Sequence, residues 1–425
     1  MPRYIYSLLL YLLLPLVPIK LIWRGLKQPG YLKHWGERFG CYPKASYRDK
    51  PFIWLHCVSV GETRAAEPLV RELQHRYPRH KVLITHGTPT GRQTSEQLFA
   101  DSIERVYLPY DVPGAVQRFL KHFRPGVGLL LETELWFNLI AACKKNGVPL
   151  LLVNARLSQR SADGYARIGK LTRQGLTSLT GIAAQTEADA NRLQALGARH
   201  VQVFGNLKFD VRPPATAFEN GIKLRRQLGS TRPVFLAAST RDGEEALILN
   251  AVAETGIPDL LTVLVPRHPQ RFDEVAGLLG RRGLNFVRRS SLSDVAATVP
   301  DDVEVVLGDT MGEMFTYYAS CDIAFIGGSL LPFGGQNLIE AAAMGKPHII
   351  GPHTFNFEEI ANLAIASGAA LRIGNEEELG QALHQLMQDA ALHATMSEAA
   401  LQFSRKAGGT AEKIAGFVKP YLTSA

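Results

Sequence analysis

Residues 321–352, CDIAFIGGSLLPFGGQNLIEAAAMGKPHIIGP, decide how this chain is read. An apolar strand is predicted over 323–326. It runs into a loop carrying Gly327, Gly328, Gly334 and Gly335. A helix is expected to open at Gln336 or Asn337 and to close at Gly345, with Pro347 blocking its continuation. Asn337 and Glu340 lie three apart, so both can face one ligand. Glycines let a backbone approach a phosphate, and helix N-terminal amides favour an anion. A carboxylate one turn in suits ribose hydroxyls. The plainer alternative is a βαβ connection whose glycines serve tight packing only.

Outward from this stretch, the same rhythm fills the chain. Short apolar runs fall at 52–58, 82–85, 106–109, 127–131, 150–153, 182–184 and 201–204, with amphipathic segments such as 64–76 and 188–196 between them. That is the pattern of a parallel sheet covered by helices. It breaks at Arg212-Pro213-Pro214 and restarts at 234–238, continuing through 261–265, 285–288, 303–307, 323–326 and 348–350. Two doubly wound α/β domains, binding ligands at the carboxyl ends of their strands in the cleft between them, are the simplest architecture. The expected division is an anchor over 1–27, a first domain over 28–212 and a second over 213–425. The helical segment 390–422 is a candidate to cross back to the first domain.

Composition fits a large folded protein with an anionic partner in a reducing compartment. The 425 residues are 46% apolar, enough for two sizeable cores. Lys and Arg number 47 against 39 Asp and Glu, a net charge of +8 that favours a nucleotide, a phosphorylated substrate or a membrane surface. No zinc-finger spacing or dense basic tract points to nucleic acid. Cys41, Cys57, Cys143 and Cys321 are scattered without a CxxC, which fits a reducing compartment. There is no HExxH and no Asp-x-Asp, so a metal-free mechanism is expected.

Residues 4–23, YIYSLLLYLLLPLVPIKLIW, are long enough to cross a hydrocarbon core as a helix of about 30 Å. Pro15 and Pro18 would kink it. Either a signal anchor or a helix lying in one leaflet fits, and a cleaved signal peptide fits least. Basic residues cluster after the segment (Lys20, Arg24, Lys27, Lys33, Arg38), which places the bulk of the protein in the cytoplasm.

Several strand ends carry candidate chemistry. Glu62, in the turn after the first strand, is a candidate general base, although on position alone a helix-start carboxylate complementing the dipole is the stronger explanation. Glu132 and Glu134 follow the fourth strand. Alternation makes Glu132 the better placed and turns Glu134 the same way but further out. Lys208, at the domain junction, can meet a phosphate or carboxylate, or can be plain solvated surface. In the second half Ser239-Thr240-Arg241 offers hydroxyls and amides for phosphate, and Arg267 and His268, flanked by prolines, offer positive charge. The loop 308–314 can read a base edge through its backbone.

With these residues assembled, the chain resembles the 3-deoxy-D-manno-octulosonic acid (Kdo) transferases of lipopolysaccharide assembly, nearly end to end. The motifs are SVGE (59–62), LETELW (131–136), GNLKFD (205–210), PRHPQRF (266–272), GDTMGEM (308–314) and GGSLLPFGGQN (327–337). The resemblance implies a GT-B fold of two Rossmann-like domains behind an N-terminal membrane-anchoring helix. It implies an inverting transfer of Kdo from CMP-Kdo, a co-substrate, to a lipid A precursor (lipid IVA), with neither metal nor cofactor. It further implies an inner-membrane location, on the phospholipid surface of the cytoplasmic face, and no nucleic-acid partner. Glu62 looks like the base, with Glu132 and Lys208 as transition-state stabilisers. Ser239, Arg267, His268, Met311, Gly312, Glu313, Gly335, Asn337, Leu338, Ile339 and Glu340 look like the CMP site. Two departures stand out: Gln336, where many members have histidine, and Phe333, where arginine is frequent. A transferase using a different nucleotide sugar, or a non-catalytic lipid-binding adaptor on the same fold, remain alternatives.

Overall fold

The structure is a computed structural model and describes residues 1–43, 51–211, 213–292 and 298–422. Arg212, where the expected linker begins, lies outside the described residues. Two compact units are formed, one from Met1–Asp210 with Gly408–Ala425 and the other from Val211–Ala407. Of the segment 390–422, the candidate to cross back, the part after 407 belongs with the first unit.

The first unit holds seven strands: β1 (Phe52–Cys57), β2 (Lys81–His86), β3 (Glu104–Tyr107), β4 (Pro125–Leu131), β5 (Leu150–Ala155), β6 (Gly181–Ala184) and β7 (Val201–Val203). Their order is β3-β2-β1-β4-β5-β6-β7, and every pairing is parallel. Every residue of β1 is buried, as a strand covered by helices on both faces requires. The chain runs outward from β1 to β3 and then returns to β4 on the other side. That makes the β1/β4 junction the topological switch point of the sheet, where ligands bind in open α/β folds.

The second unit repeats the plan with β8 (Val234–Thr240), β9 (Leu261–Pro266), β10 (Phe286–Arg288), β11 (Val305–Leu307), β12 (Ile323–Ile326), β13 (His348–Ile350) and β14 (Ala370–Arg372). The order is β10-β11-β9-β8-β12-β13-β14, again parallel throughout, and the switch point falls between β8 and β12. The doubly wound class expected from sequence is the class observed in both units.

Three local expectations are corrected. The helix foreseen from Gln336 or Asn337 to Gly345 is the short Ile339–Ala343; Asn337, read as its first residue, instead lies before it and accepts from Ile339 N through its side chain. Helical structure after β1 begins at Val60 rather than near Arg64, and it divides into Val60–Ala65 and Glu67–Arg76 at Pro68. The segment 390–422 is two helices, Ala390–Ala407 in the second unit and Thr410–Leu422 in the first.

The N-terminal segment is helical over Arg3–Leu13 and Val17–Lys27, joined by a 3-10 turn at Leu14–Leu16 beside Pro15 and Pro18. Among the described residues, Arg3–Lys27 is the one helix long and apolar enough to cross a membrane. It is tied to the first unit on one edge. Tyr6 donates to Asp111 Oδ2 at 2.9 Å, Ser7 donates to Asn138 Oδ1 at 2.8 Å, and the Tyr6 ring meets Phe137 edge-on.

Candidate active site

In the first unit the switch point carries a cluster of carboxylates. Ser59 ends the extended backbone after β1 and caps the helix Val60–Ala65, its Oγ accepting from Glu62 N at 3.3 Å. The same hydroxyl donates to Glu62 Oε1 at 2.8 Å, and Val58 N donates to Oε2 at 2.8 Å. The SVGE motif is thus a capping box folded back on itself, with its glutamate buried. Burial pushes the Glu62 carboxyl above the usual range and the nearby Glu132 charge adds to this, while the Val58 and Ser59 bonds oppose it.

Glu132 follows β4 directly and has φ of 55°, a left-handed conformation that a non-glycine residue holds only under constraint. Its amide still donates to Val153 O of β5, so the turn away from the sheet is immediate. Glu134 belongs to the same cluster. Burial, then the Glu62 charge, then that of Glu132 raise its carboxyl to about 7. Strand alternation ranks it behind Glu132, but alternation ends with the strand at Leu131; beyond it, only the turn decides direction.

Lys208 is carried by a 3-10 turn, Leu207–Phe209, that docks on this edge of the sheet. Asn154, itself at φ 52° in β5, accepts from Leu207 N through Oδ1 at 2.9 Å. Asn206 Oδ1 accepts from Lys208 N at 3.0 Å, and Asn206 Nδ2 donates to Gln185 at 3.0 Å. Because β5 neighbours β4, the structure brings the Lys208 turn to the same edge as Glu132. His56 and His86 are buried beside this cluster. Burial holds them at about 4 and about 3, so both are neutral at pH 7. A concavity of about 480 Å³ in this unit, lined by Gln117, Lys121, Arg124, Pro125 and Pro149 among others, lies at the opposite edge of the sheet, where β4 begins, and carries no carboxylate.

In the second unit the switch point is basic. Ser239 has φ of 56° where the β8–β9 register shifts. A Cβ on Gly327 would lie 2.6 Å from Ser239 O, so only glycine lets the loop after β12 lie on the end of β8. Arg267 N donates to Thr240 O at 3.0 Å, and Arg267 Nε donates to Gln336 Oε1 at 3.2 Å. The Arg241 guanidinium stacks over Phe333, 4.8 Å from the ring centroid. His268 stands among Arg241, Arg267 and Arg271. Burial first, then these cations, lower its pKa.

The two departures from the family pattern, Phe333 and Gln336, therefore each engage an arginine. Arg241, singled out in the sequence only with Ser239 and Thr240 as a strand-end tripeptide, belongs to this group. Asn337 Nδ2 donates to Glu340 Oε1 at 3.1 Å, and Asn337 Oδ1 accepts from Ile339 N. That pair is brought together as expected, but only Glu340 lies on the five-residue helix Ile339–Ala343, and Asn337 precedes it. Gly335 N donates to Gly328 O, closing the loop before Asn337, and Leu338 and Ile339 are buried beneath it. Glu313 lies further along the edge, held by Arg289 at 3.0 Å and by the Thr310 hydroxyl, with Met311 and Gly312 exposed before it. Among the described residues no group of three or more His, Cys, Asp or Glu side chains is arranged to hold a metal ion.

Comparison with known proteins agrees with the motifs. A family model described as 3-deoxy-D-manno-octulosonic-acid transferase (kdotransferase) matches residues 33–211. The 3-deoxy-D-manno-octulosonic acid transferase of Bordetella pertussis is 44% identical over 381 residues, covering 87% of each chain. That of Haemophilus influenzae is 35% identical over 426 residues, covering 99% of each. The chain belongs to the Kdo transferase family. Among solved structures, the UDP-GlcNAc 2-epimerase of Neisseria meningitidis bound to UDP-GlcNAc aligns with a TM-score of 0.58 over 87% of this chain and 100% of that one. At 16% identity that likeness concerns the fold: two doubly wound units in one chain. In this Kdo transferase family member, SVGE, LETELW and GNLKFD all sit at one edge of the first sheet, and PRHPQRF and GGSLLPFGGQN sit at one edge of the second.

Proposed function

We propose that this chain transfers Kdo from CMP-Kdo to a hydroxyl of a lipid A precursor, with inversion at the anomeric carbon and without a metal ion. The observation that carries this reading is Glu62. It is a buried carboxylate of raised pKa at the switch point of the first sheet, within a Kdo transferase sequence that matches a relative over 99% of its length.

Both Glu62 oxygens already accept one hydrogen bond. A carboxylate oxygen has two lone-pair sites, so capacity remains for an acceptor hydroxyl. Glu62 takes that proton as the hydroxyl oxygen attacks the anomeric carbon of Kdo from the face opposite CMP. The glycosidic bond forms as the bond to CMP breaks. The CMP phosphate carries the departing electron pair, and Arg241, Arg267 and the amides of the glycine-rich loop neutralise it. Glu132 and Lys208 stabilise the charge that develops on the sugar. Ser239, His268, Met311, Gly312, Glu313, Gly335, Leu338 and Ile339 complete the CMP site, with Asn337 and Glu340 on the ribose. The N-terminal helix and the basic charge near it hold the reaction at the cytoplasmic face of a bacterial inner membrane, where the acceptor's phosphates lie.

Purified protein, CMP-Kdo and tetraacylated lipid A precursor, incubated with EDTA, are expected to yield a product heavier by whole Kdo units in mass spectrometry. Glu62→Gln preserves size and part of the capping box. It should lose about 10²–10⁴-fold in turnover while still binding CMP. Near-normal turnover by that variant removes Glu62 as the base, and competition by UDP rather than CMP removes the donor.

A further inference from the structure

Two adjacent acids in the second unit, Glu244 and Glu245, are 0% and 1% exposed, and the proposed transfer uses neither. They open the helix Glu244–Glu254, directly after the β8 loop. Carboxylates at a helix start ordinarily complement the dipole of their own helix from a solvated position. Complete burial of two neighbouring carboxylates is costly unless each is fully bonded, so their partners say what they are for.

The Glu244 carboxylate accepts four backbone amides. Arg241 N (2.8 Å) and Gly328 N (2.6 Å) donate to Oε2, while Leu330 N (2.9 Å) and Leu331 N (3.4 Å) approach Oε1. Three of the four come from the loop after β12, more than eighty residues along the chain. Glu245 takes the Thr240 hydroxyl at 2.7 Å and the Arg271 guanidinium through both oxygens, at 2.5 and 3.2 Å. Arg271 belongs to the loop after β9 and reaches Asp242 and Glu274 as well. One dipeptide thus bonds three separate strand-end loops, and these carry Ser239, Arg241, Arg267, His268 and Gly328.

We propose that Glu244 and Glu245 are positioning residues that hold the three donor-side loops in their binding arrangement before the nucleotide arrives. The inference rests on reading these loops as the CMP site. Neither carboxylate touches the donor. Their effect is preorganisation: loop ordering completed in folding is not charged against nucleotide binding.

The test uses the full-length protein and CMP alone as the probe. Glu244→Gln keeps the side-chain volume but turns an NH2 group toward backbone amides that are themselves donors. It should weaken CMP binding in calorimetry by about tenfold or more. It should also raise the KM for the sugar donor, leaving the acceptor KM within about twofold. Glu245→Gln, which weakens the Arg271 link, should move in the same direction. A role in folding alone would lower the active fraction, and so the apparent kcat, without changing the CMP Kd. Parental affinity in a folded Glu244→Gln protein overturns the proposal.

A second measurement needs no variant. In the parent protein, hydrogen exchange at the Gly328 and Leu330 amides should be slow without nucleotide and little changed by CMP. Fast exchange that slows only on adding CMP would show that the nucleotide orders the loop, and would overturn the brace. Failure of CMP to bind the parent overturns the donor reading instead, and leaves the brace judged on protection alone.

Discussion

Glu132, Asn154 and Ser239 share an unusual property: each is a non-glycine residue at φ near 55°, and each lies at the carboxyl end of a strand. Such a conformation costs on the order of 1 kcal/mol or more and persists where the surroundings impose it. At Glu132 it turns the chain off the sheet, and at Asn154 and Ser239 it marks a shift of strand register just before the strand ends. Glu134 stands next to the Glu132 turn, and its stability effect is testable. Its carboxyl is raised from 4.5 to about 7, chiefly by burial and then by the Glu62 charge. Below pH 4.5 the folded and unfolded states both hold the proton, and the neutral acid costs nothing. Between 4.5 and 7 the unfolded chain releases it first, so folding stability falls as pH rises and stays reduced above 7. Glu134→Gln removes that penalty. The variant should be more stable than the parent by about 2 kcal/mol at pH 8, allowing for partial exposure, with a much smaller gain at pH 5. Denaturant midpoints at the two pH values measure it, and an equal gain at both would disprove the titration. Position marked Glu62, Glu132, Lys208 and Arg267 only as polar residues at strand ends, which parallel sheets make predictable; their roles came from the resemblance to the family. Glu134 was ranked behind Glu132, and Arg241 was marked only through its tripeptide with Ser239 and Thr240, because their direction depends on turn geometry that hydrophobic periodicity does not encode.

At the scale of elements, apolar runs marked thirteen of the fourteen strands. The strand missed was β14, Ala370–Arg372, three residues on the sheet edge with only the first buried, too short and too polar to announce itself. The helix after the glycine-rich loop was overestimated because Ala341, Ala342 and Ala343 favour helix while Asn337 bonds the Ile339 amide with its side chain from outside the first turn. The C-terminal helix Thr410–Leu422 shows how a distant residue completes an element. Asp210, buried at the end of GNLKFD, accepts from Thr410 N through Oδ1 at 3.0 Å and from Ala411 N through Oδ2. It caps a helix two hundred residues away, whose Ile414, Ala415, Val418 and Leu422 enter the core of the first unit. Asp210→Ala should cost about 1–2 kcal/mol by loss of this cap and expose the Gly408-Gly409 link to protease. An unchanged digestion rate at that link would mean that packing alone holds the helix.

For the molecule as a whole, charge and apolar surface point to the same partner. The net charge is +8, and Arg3–Lys27 is only 6% buried across its most apolar window. Its outward residues include Leu8, Leu12, Leu16, Ile19, Ile22 and Trp23, a surface far larger than a soluble protein leaves uncovered. The bonds from Tyr6 and Ser7 hold the first turns against the first unit, and Pro15 and Pro18 interrupt the helix beyond them. An apolar helix followed by basic residues gains both hydrophobic and electrostatic binding energy at an anionic bilayer. Leu12, Leu16 and Trp23 are 66%, 57% and 62% exposed, so replacing all three by glutamate should leave the fold intact. The triple variant should stop co-sedimenting with anionic phospholipid vesicles while retaining its affinity for CMP. If the N-terminal helix is the attachment, raising the salt concentration should weaken the parent's binding only in part, because the apolar contribution is not screened. Continued sedimentation of the triple variant with vesicles would place the attachment elsewhere on the basic surface, and complete release of the parent by salt would leave the apolar helix without a membrane role.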